Sequence, residues 1–199
     1  MSRPTRSRAR LIGFGALLAG LAGSALIVWQ ASYSAFSATT SNPTNNWSAG
    51  TVVLSDDDSN TAMFTASGLK PGSTGTKCIA VTSTGTLPSA VKLYGTSYSG
   101  TNVLSQNINL TVVQGTGGGF ASCTGFTPLG TGSSVYNGTL DAFALANTNY
   151  ATGLGSWTPT GTGSETRVFQ FTYTVSASTP NTAQGQSASL GFTWEVQNT

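Results

Sequence analysis

Three stretches of the chain alternate apolar and polar residues with a period of two. Ile108, Leu110 and Val112 are separated by Asn109 and Thr111. Phe169, Phe171, Tyr173 and Val175 alternate with Gln170, Thr172 and Thr174. Ala188, Leu190, Phe192, Trp194 and Val196 alternate with Ser189, Gly191, Thr193 and Glu195. Successive side chains of a strand point to opposite faces, so each run predicts a strand with one dry and one wet face. β-rich runs at 76–83 and 90–98, separated by Gly85-Thr86-Leu87-Pro88, add two more. A short apolar strand at 51–54 ends in Ser55-Asp56-Asp57-Asp58-Ser59-Asn60, a turn by composition. Residues 61–66 resume the extended pattern until the Lys70-Pro71-Gly72 turn. Dry faces must pack on one another, which two antiparallel sheets do economically. The pattern predicts an all-β protein built as a two-sheet antiparallel sandwich.

The middle of the chain is less regular. Residues 115–119 are glycine-rich, and 139–149 form the one stretch that reads as a helix. There Leu140, Phe143 and Ala144 share a face, with Thr139 or Gly138 at the start. A single short helix capping one end of the sandwich is expected. The absence of a repeat of about 20–50 residues argues against a solenoid or propeller.

At 199 residues, the length fits one folded domain plus a segment that is removed or attached. Only 7% of residues are charged, too few for long helices with charged faces but suited to strands bearing hydroxyl and amide groups. Four of the eight basic residues, Arg3, Arg6, Arg8 and Arg10, precede an apolar stretch at 11–29. An Arg-rich start, an apolar segment and the small residues of Ala31-Ser32-Tyr33-Ser34-Ala35 make residues 1–35 a signal peptide. Cleavage is expected between Ala35 and Phe36; the alternative is an uncleaved anchor, since 11–29 is about long enough to span a bilayer. Residues 36–46 form a polar arm with one large apolar residue, unable to fold alone, and 47–199 form the sandwich domain. Beyond residue 35, Lys70, Lys77, Lys92 and Arg167 face six carboxylates, a net charge of −2. Four scattered cations make no phosphate-tracking patch, so nucleic acid is not an expected partner, and membrane contact is confined to the signal segment. The low charge and the Thr, Gly and Ser richness fit an exported protein of a high-GC Gram-positive bacterium.

Two cysteines, Cys78 and Cys123, lie in the exported part, where an oxidising compartment favours a disulfide between them. The alternative of a reactive thiol or metal site is poorly served, because the chain has no histidine. For the same reason a His-dependent serine hydrolase and a His-ligated zinc hydrolase are excluded. Asp56, Asp57 and Asp58 offer hard oxygen ligands for calcium, against the reading of a solvated turn; the spaced ligands, glycine and distant glutamate of an EF-hand loop are missing. The glycine run at 115–119 lacks the Gly-Lys-Ser/Thr ending of a phosphate loop and reads as a hairpin or crossover. Glu165, Glu195 and Asp141 have no framing motif that would pair them as glycosidase carboxylates. No catalytic residue and no cofactor are expected. Trp194 falls on the dry face of its strand, whereas Trp47 and Trp157 sit in loop-like contexts and are candidates for stacking sugars.

Several blocks resemble the TasA/camelysin family of secreted bacterial surface and biofilm-matrix proteins. They are Ala35-Phe36-Ser37 at the expected cleavage point and Trp47-Ser48-Ala49-Gly50-Thr51-Val52-Val53-Leu54 after it. The turn Leu69-Lys70-Pro71-Gly72-Ser73, the run Thr84-Gly85-Thr86-Leu87-Pro88 and the closing strand Ser189-Leu190-Gly191-Phe192-Thr193-Trp194-Glu195 complete the set. The resemblance implies a jelly-roll-like sandwich, signal removal by a SipW-type peptidase, and assembly into fibres by self-association or with related matrix subunits. In that family the segment near the mature N-terminus of one subunit completes a sheet of the next. Phe36, Ser37, Ala38, Thr39 and Thr40 would be that donor segment, and Pro43 limits ladder pairing to short stretches on either side of it. The expected function is therefore structural, at the cell surface or in the extracellular matrix. The alternative is a monomeric secreted sandwich that binds a cell-wall glycan or another surface ligand.

Overall fold

The computed structural model describes residues 49–199. They form nine strands in two antiparallel sheets. The larger sheet runs β1 (Leu54–Asp56), β2 (Thr74–Ser83), β8 (Glu165–Val175) and β4 (Ile108–Thr116). Beyond β4 lie β6 (Ser134–Thr139), paired along Asn109 to Val113, and the two-residue β5 (Thr127–Pro128), paired at Gly115 and Thr116. The smaller sheet has β3 (Ser89–Ser99) between β7 (Leu154–Trp157) and β9 (Ser189–Asn198). The chain changes sheets between β2 and β3, between β3 and β4, and again on either side of β7 and before β9. Those crossings build the two-sheet antiparallel sandwich that the pattern predicts.

The alternating runs place the core. Ile79 and Val81 of β2, Leu110 and Val112 of β4, and Phe169 and Phe171 of β8 point inward against Val91 and Leu93 of β3 and Trp157 of β7. Phe143 plugs one end, fully buried, from the helix α2 (Leu140–Ala146). Thr139 caps that helix as expected, its hydroxyl accepting from the Ala142 N–H at 3.1 Å. A second, one-turn helix, α1 (Val103–Gln106), is too short to show in the hydrophobic pattern; Asn102 and Ser105 close it with a reciprocal capping box.

The outward positions of β2 and β8 carry paired hydroxyls. Thr74 with Thr174, Thr76 with Thr172 and Thr82 with Thr166 bond across the strands at 3.1, 3.1 and 2.8 Å. Cross-strand threonine pairs stabilise a sheet modestly and keep β-branched side chains where they suit the pleat. Pro71-Gly72 turns the chain into β2, with Gly72 at φ +85°, a conformation that a side chain would strain.

Two expected strands differ. The first begins at Leu54, not at 51, and runs into the acidic cluster, because Leu54, Ser55 and Asp56 find Ser83, Thr82 and Val81 as partners. Residues 61–66 form no strand at all. Met63 and Phe64 are both half-buried against the core, and adjacent residues of a regular strand cannot share one inner face.

Candidate functional site

The smaller sheet ends abruptly. Among the described residues β9 pairs with β3 on one side and with no strand on the other. Its free edge is ten residues long, with one charged side chain, Glu195, and no proline. Edge strands of monomeric proteins are usually shortened, charged or interrupted, and this one has none of these guards beyond that single glutamate.

Beside the free edge the two sheets part, and a cleft opens. One cavity of about 410 Å³ is walled by Met63, Phe64 and Ile79 on one side and by Leu190, Phe192 and Trp194 of β9 on the other. A second of about 290 Å³ has Ile108, Leu110, Leu140 and Tyr173 beneath it. A third of about 240 Å³ lies between Leu54 and Val81 and the β9 residues Phe192 and Trp194. The dry face of β9 is thus only half covered. Trp194 lies on that face, as its alternation predicts, and packs on Phe169 and Phe171 at centroid distances of 5.3 and 5.9 Å. It also lines two of the cavities, so it belongs to the core's margin and not its interior. Its indole N–H is buried and has no acceptor among the described residues.

The cysteines form the expected disulfide, with Cα atoms 5.3 Å apart. Cys78 lies on the outer side of β2, opposite Ile79, and is nonetheless only 1% exposed because the glycine-rich loop carrying Cys123 is drawn over it. Asp57 holds the same loop. One carboxylate oxygen accepts from the Ala80 N–H and the other from the Phe120 N–H, each at 2.8 Å. Gly119 is required there, since a Cβ would stand 2.5 Å from the Asp57 carboxylate. The run at 115–119 therefore opens the hairpin loop that returns from β4 to its antiparallel neighbour β5, and that loop is pinned to the outer face of the larger sheet.

Both oxygens of Asp57 are thus engaged by backbone amides. Asp58 accepts from the Asn60 N–H at 2.7 Å and lines the 410 Å³ cavity, while Asp56 faces the 240 Å³ one. Ser59 and Asn60 adopt left-handed backbone, φ 52° and 61°, and turn the chain away. Burial, followed by the neighbouring Asp58 carboxylate, raises the Asp56 pKa above that of an ordinary aspartate. Among the described residues no three acidic or sulfur side chains are grouped to hold a metal ion.

The other carboxylates sit on separate elements with separate partners. Asp141 of α2 accepts from the Tyr98 hydroxyl at 2.6 Å, and Glu195 of β9 accepts from the Tyr94 hydroxyl at 2.9 Å. Burial raises the Tyr98 pKa, and the bond to Glu195 raises that of Tyr94. Glu165 accepts from the Thr160 hydroxyl and backbone N–H, which lower its pKa. Trp157, expected in a loop and open to a sugar, is instead in β7 and 4% exposed, with the Arg167 guanidinium 5.8 Å above its ring. Its strand pairs with β3 through Val91, which turns the indole into the core. Ala35, Phe36, Ser37, Ala38, Thr39, Thr40 and Trp47 lie outside the described residues.

Alternation in β9 shows which face is dry; nothing in it marks β9 as an edge, because edge and central strands share that period. No protein-family model matches the chain, and no curated protein matches it. Among the described residues no helix is long and apolar enough to cross a membrane.

Proposed function

We propose that this is an exported, non-enzymatic structural protein of the TasA/camelysin kind, working at the cell surface or in the extracellular matrix. Its subunits join when residues 36–46 of one copy lie along the free edge of β9 in the next. The observation that carries this reading is the unguarded ten-residue edge of β9 beside a cleft floored by apolar side chains. Strand addition draws its affinity from backbone hydrogen bonds and its selectivity from pockets for alternate side chains. A polar donor such as Phe36-Ser37-Ala38-Thr39-Thr40 therefore suffices, with Phe36 as its one large apolar side chain. Each ladder bond contributes a net ~0.5–1.5 kcal/mol, so a handful of bonds with one buried aromatic gives an association that grows into a polymer when repeated head to tail. Heterologous contacts of this kind leave the same free edge on the terminal subunit, which is how a fibre continues.

A chain beginning at Phe36, followed by light scattering, tests the reading. A large molar excess of a synthetic peptide covering 36–46 is expected to suppress growth by filling the β9 edge. Growth that proceeds at the same rate with the peptide, or no growth without it, contradicts the proposal.

A further inference from the structure

Residues 117–126, the loop between β4 and β5, hold most of their hydrogen bonds within themselves. Gly119 and Ser122 exchange backbone bonds at 2.9 and 3.1 Å, the Phe126 N–H donates to the Cys123 carbonyl at 3.0 Å, and Ser122 bonds to Thr124. Among the described residues two ties lead out of the loop: the disulfide from Cys123 to Cys78, and the bond from the Phe120 N–H to Asp57. Both end on one stretch of β2, since the second Asp57 oxygen accepts from the Ala80 N–H, two residues beyond Cys78. One covalent tie and one charge-assisted tie thus fasten a loop that has no ladder to the sheet beneath it.

The second tie leads to the other side of the fold. Asp57 stands between Asp56, which lines the 240 Å³ cavity, and Asp58, which lines the 410 Å³ one together with Asn60 and Thr61. Past the last pair of β1, Asp56 with Val81, the remaining hydrogen bonds of this turn are local: Asp58 to Asp56, and Asn60 and Thr61 to Asp58. Asp57 is therefore the turn's one hydrogen-bonded anchor to β2 beyond that pair. The residue that holds the loop on the outer face also holds the turn at the mouth of the cleft.

We infer that the disulfide, the loop and Asp57 form a redox-sensitive latch: the closed disulfide fixes the acidic turn at the cleft mouth, and reduction frees loop and turn together. The two sulfurs are unequal. Cys78 is 1% exposed, whereas Cys123 is half-buried between exposed Ser122 and Thr124. An external thiolate reaches the Cys123 sulfur, the S–S bond breaks, and Cys78 leaves as a thiolate that takes up a proton in its buried setting. A second external thiol then displaces the first from Cys123, so two cysteine thiols and one new external disulfide result. Regulation of the acceptor site follows, and this part rests on the assembly reading above: a turn already held in place need not be ordered when a subunit binds. A chain in a reducing compartment keeps a loose cleft mouth until it reaches an oxidising one.

The chain beginning at Phe36, with and without dithiothreitol, tests the latch through two readouts. Residue-resolved hydrogen–deuterium exchange reads the coupling itself. On reduction the amides of Phe120 in the loop and of Asn60 and Thr61 in the turn are expected to exchange about tenfold faster, while β4 and β8 stay protected. Faster exchange at Phe120 with no change at Asn60 and Thr61 overturns the latch. Light scattering reads the consequence, and growth is expected to slow about tenfold on reduction. Growth of the reduced, folded chain at the oxidised rate overturns the regulation and leaves assembly standing. No growth of the oxidised chain overturns the assembly reading, and exchange alone then decides the latch. Where reduction strips protection from β4 and β8, the variant Asp57→Asn decides instead, since it keeps the disulfide and exchanges one acceptor oxygen for a donor. Faster exchange at Phe120, Asn60 and Thr61 and slower growth are expected of it; parent behaviour in both overturns the inference.

Discussion

Asp56, Asp57 and Asp58 stand side by side and do three different things. Asp57 is a clasp, continuing the pairing that β1 abandons and reaching the β4–β5 loop at Phe120. Asp58 closes its own turn on Asn60. Asp56 faces the cleft, where burial and the nearby Asp58 carboxylate disfavour its ionised form. A carboxyl whose pKa is raised in the folded state stabilises the fold below its unfolded pKa and loses that contribution as pH rises through the folded value. Glu165 acts in the opposite sense: its lowered pKa means stability present at neutral pH and lost as pH falls through its folded value. The substitution Asp56→Asn is expected to raise the urea midpoint at pH 7 and to flatten the gain that the parent shows as pH drops toward the aspartate range. If Asp56→Asn instead lowers the midpoint at pH 7, the Asp56 carboxylate makes a favourable contact there.

Among the elements, the long strands with a clear alternation of apolar and polar residues are the readable ones, β9 included. The runs at 108–112 and 169–175 and the helix at 140–146 appear where their periodicity puts them, since burial on one face is what periodicity encodes. Residues 61–66 are read as extended but form no strand, because the adjacent Met63 and Phe64 both pack on the core, which a regular strand does not allow. Short β5, β6 and β7 leave no clear signal for a related reason: they borrow register from β4 and β3 and need little pattern of their own. Trp157 shows the limit most clearly, since a tryptophan among Gly, Ser, Thr and Pro reads as loop until its pairing to Val91 is known. The loop between β4 and β5 is a different matter, fastened by a covalent bond that cysteine arithmetic anticipates. Replacing Cys78 and Cys123 together by Ser removes a closure spanning 45 residues, for which chain entropy gives about 4 kcal/mol. A loss of unfolding free energy of that order, read from the lowered denaturation midpoint under oxidising conditions, is expected. Equal midpoints for the variant and the parent would mean the loop is held without the bond.

At the scale of the whole molecule, the described chain is a sandwich with unequal sheets, six strands against three. The imbalance leaves Tyr173 of the larger sheet and Leu140 of α2 with a cleft above them instead of a strand. Among the described residues the cleft leaves apolar side chains and one side of the β9 backbone without a strand partner, features of the kind that favour strand addition. The scarcity of charge points the same way, because with a net charge of −2 beyond residue 35 little electrostatic repulsion opposes the approach of identical copies. What stays illegible in the sequence is the unequal strand count among the described residues: how many strands each sheet receives is recorded by no single run of residues.

Electron microscopy of two negatively stained preparations probes subunit joining most directly. One chain begins at Phe36 and the other at Trp47, so that they differ only by residues 36–46. Fibres from the longer chain and discrete particles from the shorter one are expected. Discrete particles from both, or fibres from both, would show that residues 36–46 do not join one subunit to the next.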